Sequence, residues 1–279
     1  MDPATQRLLA LALEEDLPSG DATALATVPA DISATAWFVS RAAGVVAGLD
    51  VAQAVAGAVD ATLEFSVLAA AGDAISPGTR LAKVHGSARS ILAAERTALN
   101  LLTHLCGVAT VTAAFVQQVQ GTSCAVRDTR KTLPGMRALQ KAAVAAGGGV
   151  NHRFSLSDGL LVKDNHVAAA GGIAAATTAA LHGAGGLPVQ IEVDSAAQLA
   201  QALDAGARAV LLDNFTLEEI AAAVSFCRAY PADVFVEASG NVTLDTVSAI
   251  ARTGVDAVAV GALTHSVVAL DIGLDWQDT

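Results

Sequence analysis

The 279-residue chain has little cysteine: Cys106, Cys124 and Cys227 are odd in number, far apart and outside any CxxC spacing. That excludes a disulfide framework and a cysteine-bound zinc, and it points to a reducing compartment. General positive charge is also lacking. Sixteen Lys and Arg stand against 27 Asp and Glu, a net charge of −11 with no acidic tail. A basic field for nucleic acid or an anionic membrane is thereby excluded, and any anionic ligand must be met by a local cluster. Long apolar runs are missing as well, because glycines and charges interrupt the alanine-rich stretches short of the ~18 residues that a membrane span needs. The N-terminal MDPATQRLLALALEEDL has neither a basic start nor an unbroken apolar core. Asp2 and Pro3 form a start signal and the leucines recur at helical spacing, which predicts an amphipathic helix of the mature protein. These absences predict a soluble, cytoplasmic protein with no nucleic-acid or membrane partner.

What is present is a core. Hydrophobic residues make up 53% of the chain and the mean hydropathy is +0.51, enough for one large α/β barrel domain or two smaller domains. From about residue 30 to 85, short β-type runs (TAWFVS, GVVAG, ATLEFSVLA) alternate with turn signals such as AGD and SPGT, and one helical piece lies near 51 to 58. This predicts a small α+β domain. A long helical pattern follows, with Ile91, Leu92, Leu99, Leu102, Leu105 and Val108 marking its apolar stripe. It is expected to link two domains.

After residue 122 the pattern becomes strand, polar strand end and helix, repeated. Apolar runs end in RDTRK, LLVKDNH, VQIEVDS, AVLLDN, VFVEASGN and VDAVAVGA, six βα units in all. From Asp194 to Asp213 is 19 residues, to Ser239 another 26 and to Gly261 another 22. Such spacings suit parallel strands joined by right-handed crossovers. A barrel is preferred over a doubly wound open sheet because nearly every strand ends in polar residues, and barrel strand ends converge on one face. Arg130, Lys131, Lys163, Glu192, Asp213, Ser239 and Gly261 would then share a single mouth.

The local cationic cluster lies there. Between Arg127 and His166 are seven of the sixteen basic residues and only three acids. Within GGGVNHRFSLSDGLLVKDNH, glycine backbone can approach a ligand closely, and Arg153 can grip a carboxylate or phosphate bidentately. Lys163 at a strand end could form a Schiff base, as in aldolase-type lyases, or bind an anion as an ammonium. Glu192 and Asp213 could hold Mg²⁺ through water, accept hydrogen bonds from sugar hydroxyls, stabilise a cationic sugar, or cap the following helices. EASGN and AVGALTHS supply backbone N–H groups near expected helix starts, a common phosphate arrangement.

ERTALNLL, DTRKTLPGMRALQKAAV, GGGVNHR, LLVKDNHV, IEVDS, LLDNF, EASGN and GVDAVAVGALTHS occur in the order and spacing of the quinolinate phosphoribosyltransferase family, also called nicotinate-nucleotide pyrophosphorylases. The resemblance runs from about residue 7 to 275. It implies a small N-terminal α/β sandwich domain (1–107, including the start of the linking helix) and an incomplete barrel of six or seven strands (108–279), with the C-terminal tail returning onto the first domain. The implied reaction transfers phosphoribosyl from phosphoribosyl pyrophosphate to quinolinate with decarboxylation, giving nicotinate mononucleotide, pyrophosphate and CO₂ for NAD synthesis. Mg²⁺ is the implied cofactor. The implied assembly is a homodimer or a hexamer of dimers.

Carried over by motif, Arg130, His152, Arg153 and Lys163 bind quinolinate, and Arg96 reaches in from a partner chain. Thr129, Lys131, Glu192, Asp213, Ser239, Gly240, Asn241, Gly261 and His265 face the phosphoribosyl donor, with Glu192 and Asp213 also on the metal. The implied catalytic set is Lys131, Lys163, Glu192 and Asp213. Two departures stand out: QKAAV has alanine where the family usually has tyrosine, and HRFSLSDG differs from the usual sequence after the arginine. They leave open a related phosphoribosyltransferase-like branch found beside molybdate-transport genes.

Overall fold

The structure, a computed structural model, describes residues 1–276; the expected end of the second domain at 279 lies outside them. The chain runs α1 (Pro3–Asp16), α2 (Ala22–Thr27), β1 (Ser33–Ser40), β2 (Gly44–Val45), α3 (Leu49–Val59), β3 (Glu64–Val67), β4 (Ala74–Ile75), β5 (Arg80–Ser87) and α4 (Ala88–Gln118). It continues through β6 (Ala125–Arg127), α5 (Arg137–Ala146), β7 (Leu160–Val162), α6 (Asp164–Ala170), α7 (Ile173–Gly183), β8 (Val189–Val193) and α8 (Ala196–Asp204). Then come β9 (Ala209–Asp213), α9 (Leu217–Arg228), β10 (Phe235–Ser239), α10 (Val247–Arg252), β11 (Ala257–Ala259), α11 (Ala262–His265) and β12 (Ile272–Trp276). These elements form two compact units. One takes Met1–Ala113, Thr132–Gly148 and the chain from Ala262 onward; the other takes Ala114–Lys131 and Gly149–Gly261.

In the first unit, the sequence's start signal operates as expected: Asp2 accepts hydrogen bonds from the N–H groups of Ala4 and Thr5, with Pro3 at the first helical position. The antiparallel sheet is ordered β12-β1-β5-β3, so the last strand of the chain pairs with the first, Ser40 opposite Ile272 and Ala36 opposite Trp276. Helix α4 buries Ile91, Leu99, Leu102, Leu105 and Val108 of the expected stripe, while Leu92 is half-buried. One expectation fails here. By length and composition α4 could cross a membrane, because no charge falls between Arg96 and Arg127. Its apolar window is 56% buried inside the protein, and that burial accounts for the composition.

The second unit contains the parallel sheet, ordered β6-β11-β10-β9-β8-β7. Strands β7 to β11 follow sequence order and β6 returns beside β11, while Val150 bridges to Arg127 beyond β6. Strands β6 and β7 share no ladder, so the barrel is incomplete. Period-two alternation assigns the faces. Ile191, Val193, Val210, Leu212, Val236 and Ala238 are fully buried. Gln190, Glu192, Leu211, Asp213, Glu237 and Ser239 occupy the opposite, concave face. The helices that follow β8 and β9 are capped by Ser195 and by a Thr216–Glu219 capping box. Capping therefore falls to residues other than Glu192 and Asp213.

All three cysteines are free and buried, and burial pushes their thiols up to about 11 for Cys106 and Cys227 and about 12 for Cys124.

Candidate active site

At the C-terminal ends of β6 to β11, within the second unit, the chain encloses a cavity of about 350 Å³. Nine of the expected site residues line it: Thr129, Arg130, Lys131, His152, Arg153, Lys163, Glu192, Asp213 and Ser239. Leu161, Leu211 and Ala259 supply its apolar floor. A larger cavity, about 520 Å³, opens at the other end of the same sheet among the strand starts Ala125, Leu160, Val189, Ala209 and Phe235. Arg127, His152, Arg153 and Asp158 also line that larger cavity, but Arg130, Lys131, Lys163, Glu192 and Asp213 line the one at the strand ends and not the larger one.

Strand β6 leads directly into Asp128, which is fully buried. Its carboxylate accepts the His152 backbone N–H at 2.8 Å and the Asn151 side-chain amide at 2.6 Å. This staples residues 151–153 to the end of β6 and so carries Arg153 to the cavity. Thr129 Oγ1 accepts the N–H of Lys131 at 3.0 Å, bending the chain between the two basic residues of DTRK. The remainder of the motif belongs to the other unit, where the Leu133 N–H donates to Gln140 Oε1 at 2.9 Å.

Arg153 donates from Nη1 to the carbonyl of Gly159 at 2.6 Å. Burial, and next the positive charge of Arg130, pull the Arg153 guanidinium below its ordinary value, with Asp158 opposing. Two cations held together in partly desolvated space favour a ligand with two negative charges. The loop between Arg153 and Gly159 is the HRFSLSDG departure from the family pattern, and it has its own closure. Asp158 accepts from the N–H groups of Phe154 and Ser155 and from the Ser155 hydroxyl. Those bonds, chiefly the Phe154 N–H, hold its carboxyl down to about 2.

On the opposite side, Glu192 is the penultimate residue of β8 and Asp213 the last of β9. Glu192 Oε2 lies 2.5 Å from Lys163 Nζ, with the carboxylate 13% and the lysine 45% exposed. Asp213 accepts from the side-chain amide of Asn214 at 2.8 Å and sits in register with Ser239. The two carboxylates are hard oxygen donors on neighbouring strands. Among the described residues no group of three or more His, Cys, Asp or Glu gathers to hold a metal. Two carboxylates without a cage fit Mg²⁺, which takes one or two protein carboxylates and completes its shell with water and substrate phosphate.

Other expected residues fall outside the lining. Gly240 and Asn241 follow Ser239, and Gly261 follows β11. Gly240 has φ +97°, and a Cβ there would stand 2.2 Å from Asn214 Oδ1; packing alone demands glycine at that point. The EASGN motif was expected near a helix start, yet α10 begins only at Val247. A turn ordered by Thr243 and Thr246 intervenes between Asn241 and α10. Gly261 does lead directly into α11, a helix of four residues. His265 lies in the other unit, bonded through Nδ1 to Ser266 Oγ at 2.6 Å. Arg96 is also in that unit and is exposed on α4.

Sequence reasoning missed Asp128, which lines the cavity as well, and a layer beneath it: Asn151, Arg127, Gln190 and Glu237. The available signal was period two, since Gln190 and Glu237 stand two residues before Glu192 and Ser239 and share their face.

The sequence matches two family descriptions, "Quinolinate phosphoribosyl transferase, N-terminal domain" over residues 21–106 and "C-terminal domain" over residues 108–275. The nicotinate-nucleotide pyrophosphorylase (carboxylating) of Mycobacterium leprae (strain TN) is 49% identical over 267 residues, which cover 95% of this chain and 94% of that protein. A probable nicotinate-nucleotide pyrophosphorylase (carboxylating) of Bacillus subtilis (strain 168) is 37% identical, covering 94% and 89%. Among solved structures, the nicotinate-nucleotide pyrophosphorylase from Francisella tularensis has a TM-score of 0.93 at 40% identity, covering 98% of this chain and 96% of that one.

Proposed function

This chain belongs to the quinolinate phosphoribosyltransferase family, and from that premise we propose that it joins quinolinate to the ribosyl group of phosphoribosyl pyrophosphate, releasing pyrophosphate and CO₂ and leaving nicotinate mononucleotide. The observation that carries the reading is one cavity divided by charge: Arg130, Lys131, Arg153 and Lys163 against Glu192 and Asp213. A planar dianion suits the first half, and a sugar on which positive charge develops suits the second.

Arg130 and Arg153 bind the two ring carboxylates, with Lys163 beside them. Lys131 and Thr129 meet the diphosphate. As the bond from the anomeric carbon to diphosphate oxygen lengthens, Glu192 and Asp213 stabilise the cationic ribose, and the pyridine nitrogen forms the new bond to that carbon. The ring nitrogen then carries positive charge, which accepts the electron pair left when the adjacent carboxylate departs as CO₂. A proton replaces it on the ring carbon. Glu192 and Asp213 would hold Mg²⁺ together with the donor's phosphates, and the ion supplies charge neutralisation for the leaving diphosphate.

Lys163 donates to Glu192, the geometry of an anion-binding ammonium rather than of a Schiff-base nucleophile. The reading includes a cytoplasmic enzyme that works as a homodimer or a hexamer of dimers, with Arg96 of each chain completing a neighbour's site.

Incubating the protein with quinolinate, phosphoribosyl pyrophosphate and Mg²⁺ tests the reading. Stoichiometric pyrophosphate and nicotinate mononucleotide are expected. Ligand binding without pyrophosphate release, or a borohydride-trapped adduct at Lys163, would overturn it.

A further inference from the structure

From within the parallel sheet to His152 in the cavity lining, four side chains form a continuous relay. Glu237 on β10 is fully buried. Its Oε2 accepts from Arg127 Nη1 at 2.8 Å and from the Gln190 amide nitrogen at 2.7 Å. A carboxylate can only accept here, so the Gln190 amide is oriented with its nitrogen toward Glu237 and its oxygen away. That oxygen lies 2.9 Å from His152 Nε2, while Glu237 Oε2 is more distant from the same nitrogen at 3.9 Å. On the far side of the ring, the backbone N–H of Arg153 donates to His152 Nδ1 at 2.8 Å. Nδ1 must therefore be bare and Nε2 must carry the hydrogen.

We infer that Gln190 and Glu237 are positioning residues of the reaction. They lock His152 as the neutral Nε2–H tautomer, and the ring in turn holds the main chain of Arg153 through Nδ1. The inference rests on the transferase reading above, because its functional content is the placement of Arg153 for a quinolinate carboxylate. It also changes the expected part of His152: both ring nitrogens serve the protein, and the ring's task is to set Arg153.

Two further observations support a positioning role. Asp128 fixes the same segment through the His152 N–H and Asn151, so both the main chain and the ring of His152, which precedes Arg153, are held by buried partners. The relay is also costly to keep: among the described residues Glu237 Oε1 and Arg127 Nε are buried without a hydrogen-bond partner. A buried pair that is incompletely satisfied adds little net stability compared with apolar packing, and its use here is geometric.

The test begins with the unmodified protein labelled with ¹⁵N-histidine. A long-range proton–nitrogen correlation, assigned with His152→Gln, should show His152 protonated at Nε2 and bare at Nδ1. Gln190→Met keeps the volume but removes the acceptor and donor. In that variant the single tautomer should be lost and the KM for quinolinate should rise about tenfold, the loss of one hydrogen bond. The KM for phosphoribosyl pyrophosphate should stay within about twofold. Gln190→Asn, too short to touch both partners, replaces it should the methionine variant not fold. The inference fails if the native ring is protonated at Nδ1, if the quinolinate KM is unchanged, or if both KM values rise together. An unmodified protein without turnover sinks the transferase reading instead, and the spectrum still decides the tautomer.

Discussion

Lys163 Nζ lies 2.5 Å from Glu192 Oε2, joining the cationic and acidic halves of one cavity at the ends of neighbouring strands. Each residue was expected to face a different substrate, and on the proposed reading the two substrates meet at this pair. Because the lysine is half exposed, the pair contributes little to folding. Glu192→Gln should therefore leave the melting temperature nearly unchanged while lowering kcat about a hundredfold, since charge on the ribose loses its partner. A kcat within about threefold of the parent would remove Glu192 from the chemistry.

Arg153 and Arg130 form the proposed grip on two carboxylates. Arg153→Ala should reduce kcat/KM for quinolinate by about two orders of magnitude, the loss of a charge-assisted, bidentate contact. Nicotinate, with a single carboxylate, should be a poor substrate of the parent enzyme to a similar degree. Steady-state kinetics with both acids measures this, and equal turnover of the two would refute the assignment.

Asp158 ties the loop after Arg153 through three hydrogen bonds, with its carboxyl lowered from 3.8 to about 2. A depressed carboxyl stabilises the folded loop above its unfolded pKa, and the contribution is lost as pH falls through the folded one. Loop order should accordingly persist at pH 5 and fade between about pH 4 and pH 2. Carbon-13 titration of the Asp158 carboxyl should show its midpoint near the lower end of that window. A midpoint near the ordinary value would mean that the loop is not closed this way in solution.

Gly240 combines φ +97° with an approach to Asn214 that leaves no room for a Cβ. Gly240→Ala should destabilise the protein by about 1–3 kcal/mol in denaturant unfolding. Gly171 has φ +83° but open space around it, so Gly171→Ala should cost less. Equal costs at the two sites would show that contact with Asn214 is not what demands glycine at 240.

Arg96 supplies a test of shared sites. Arg96→Ala and Arg130→Ala chains should each be inactive alone. Co-refolded in equal amounts, they should recover about a quarter of parental activity, because half of randomly formed dimers contain one intact site of two. No recovery in chromatographically verified mixed dimers would place Arg96 within its own chain's function.

Much of the fold was legible beforehand. Asp2 and Pro3 announced α1, the six polar-ended β runs are the six strands of the parallel sheet, and the leucines at helical spacing are the buried stripe of α4. The expectation that every apolar run falls short of a membrane span failed at this helix: without a charge between Arg96 and Arg127 it is long and apolar enough to cross one, and its burial marks it as a core helix. The two-residue β2 was read as a longer run because GVVAG has strand composition, yet pairing with β4 extends only over Gly44 and Val45. Local propensity does not say where a partner strand ends.

By itself, the sequence determined the βα repeat, the family and the set of polar residues carried to the strand ends, since these follow from periodicity, spacing and motif order. Only the tertiary structure decided which of those residues meet. It made Ser195 and Thr216 the helix caps, paired Lys163 with Glu192, and set Asn214 against Gly240. It also revealed the Glu237–Gln190–His152 relay, whose members come from strands β10 and β8 and from the segment beside β6. Period two tells which face a side chain occupies; which side chains touch across that face depends on the curvature of the sheet, and curvature is a property of all the strands together.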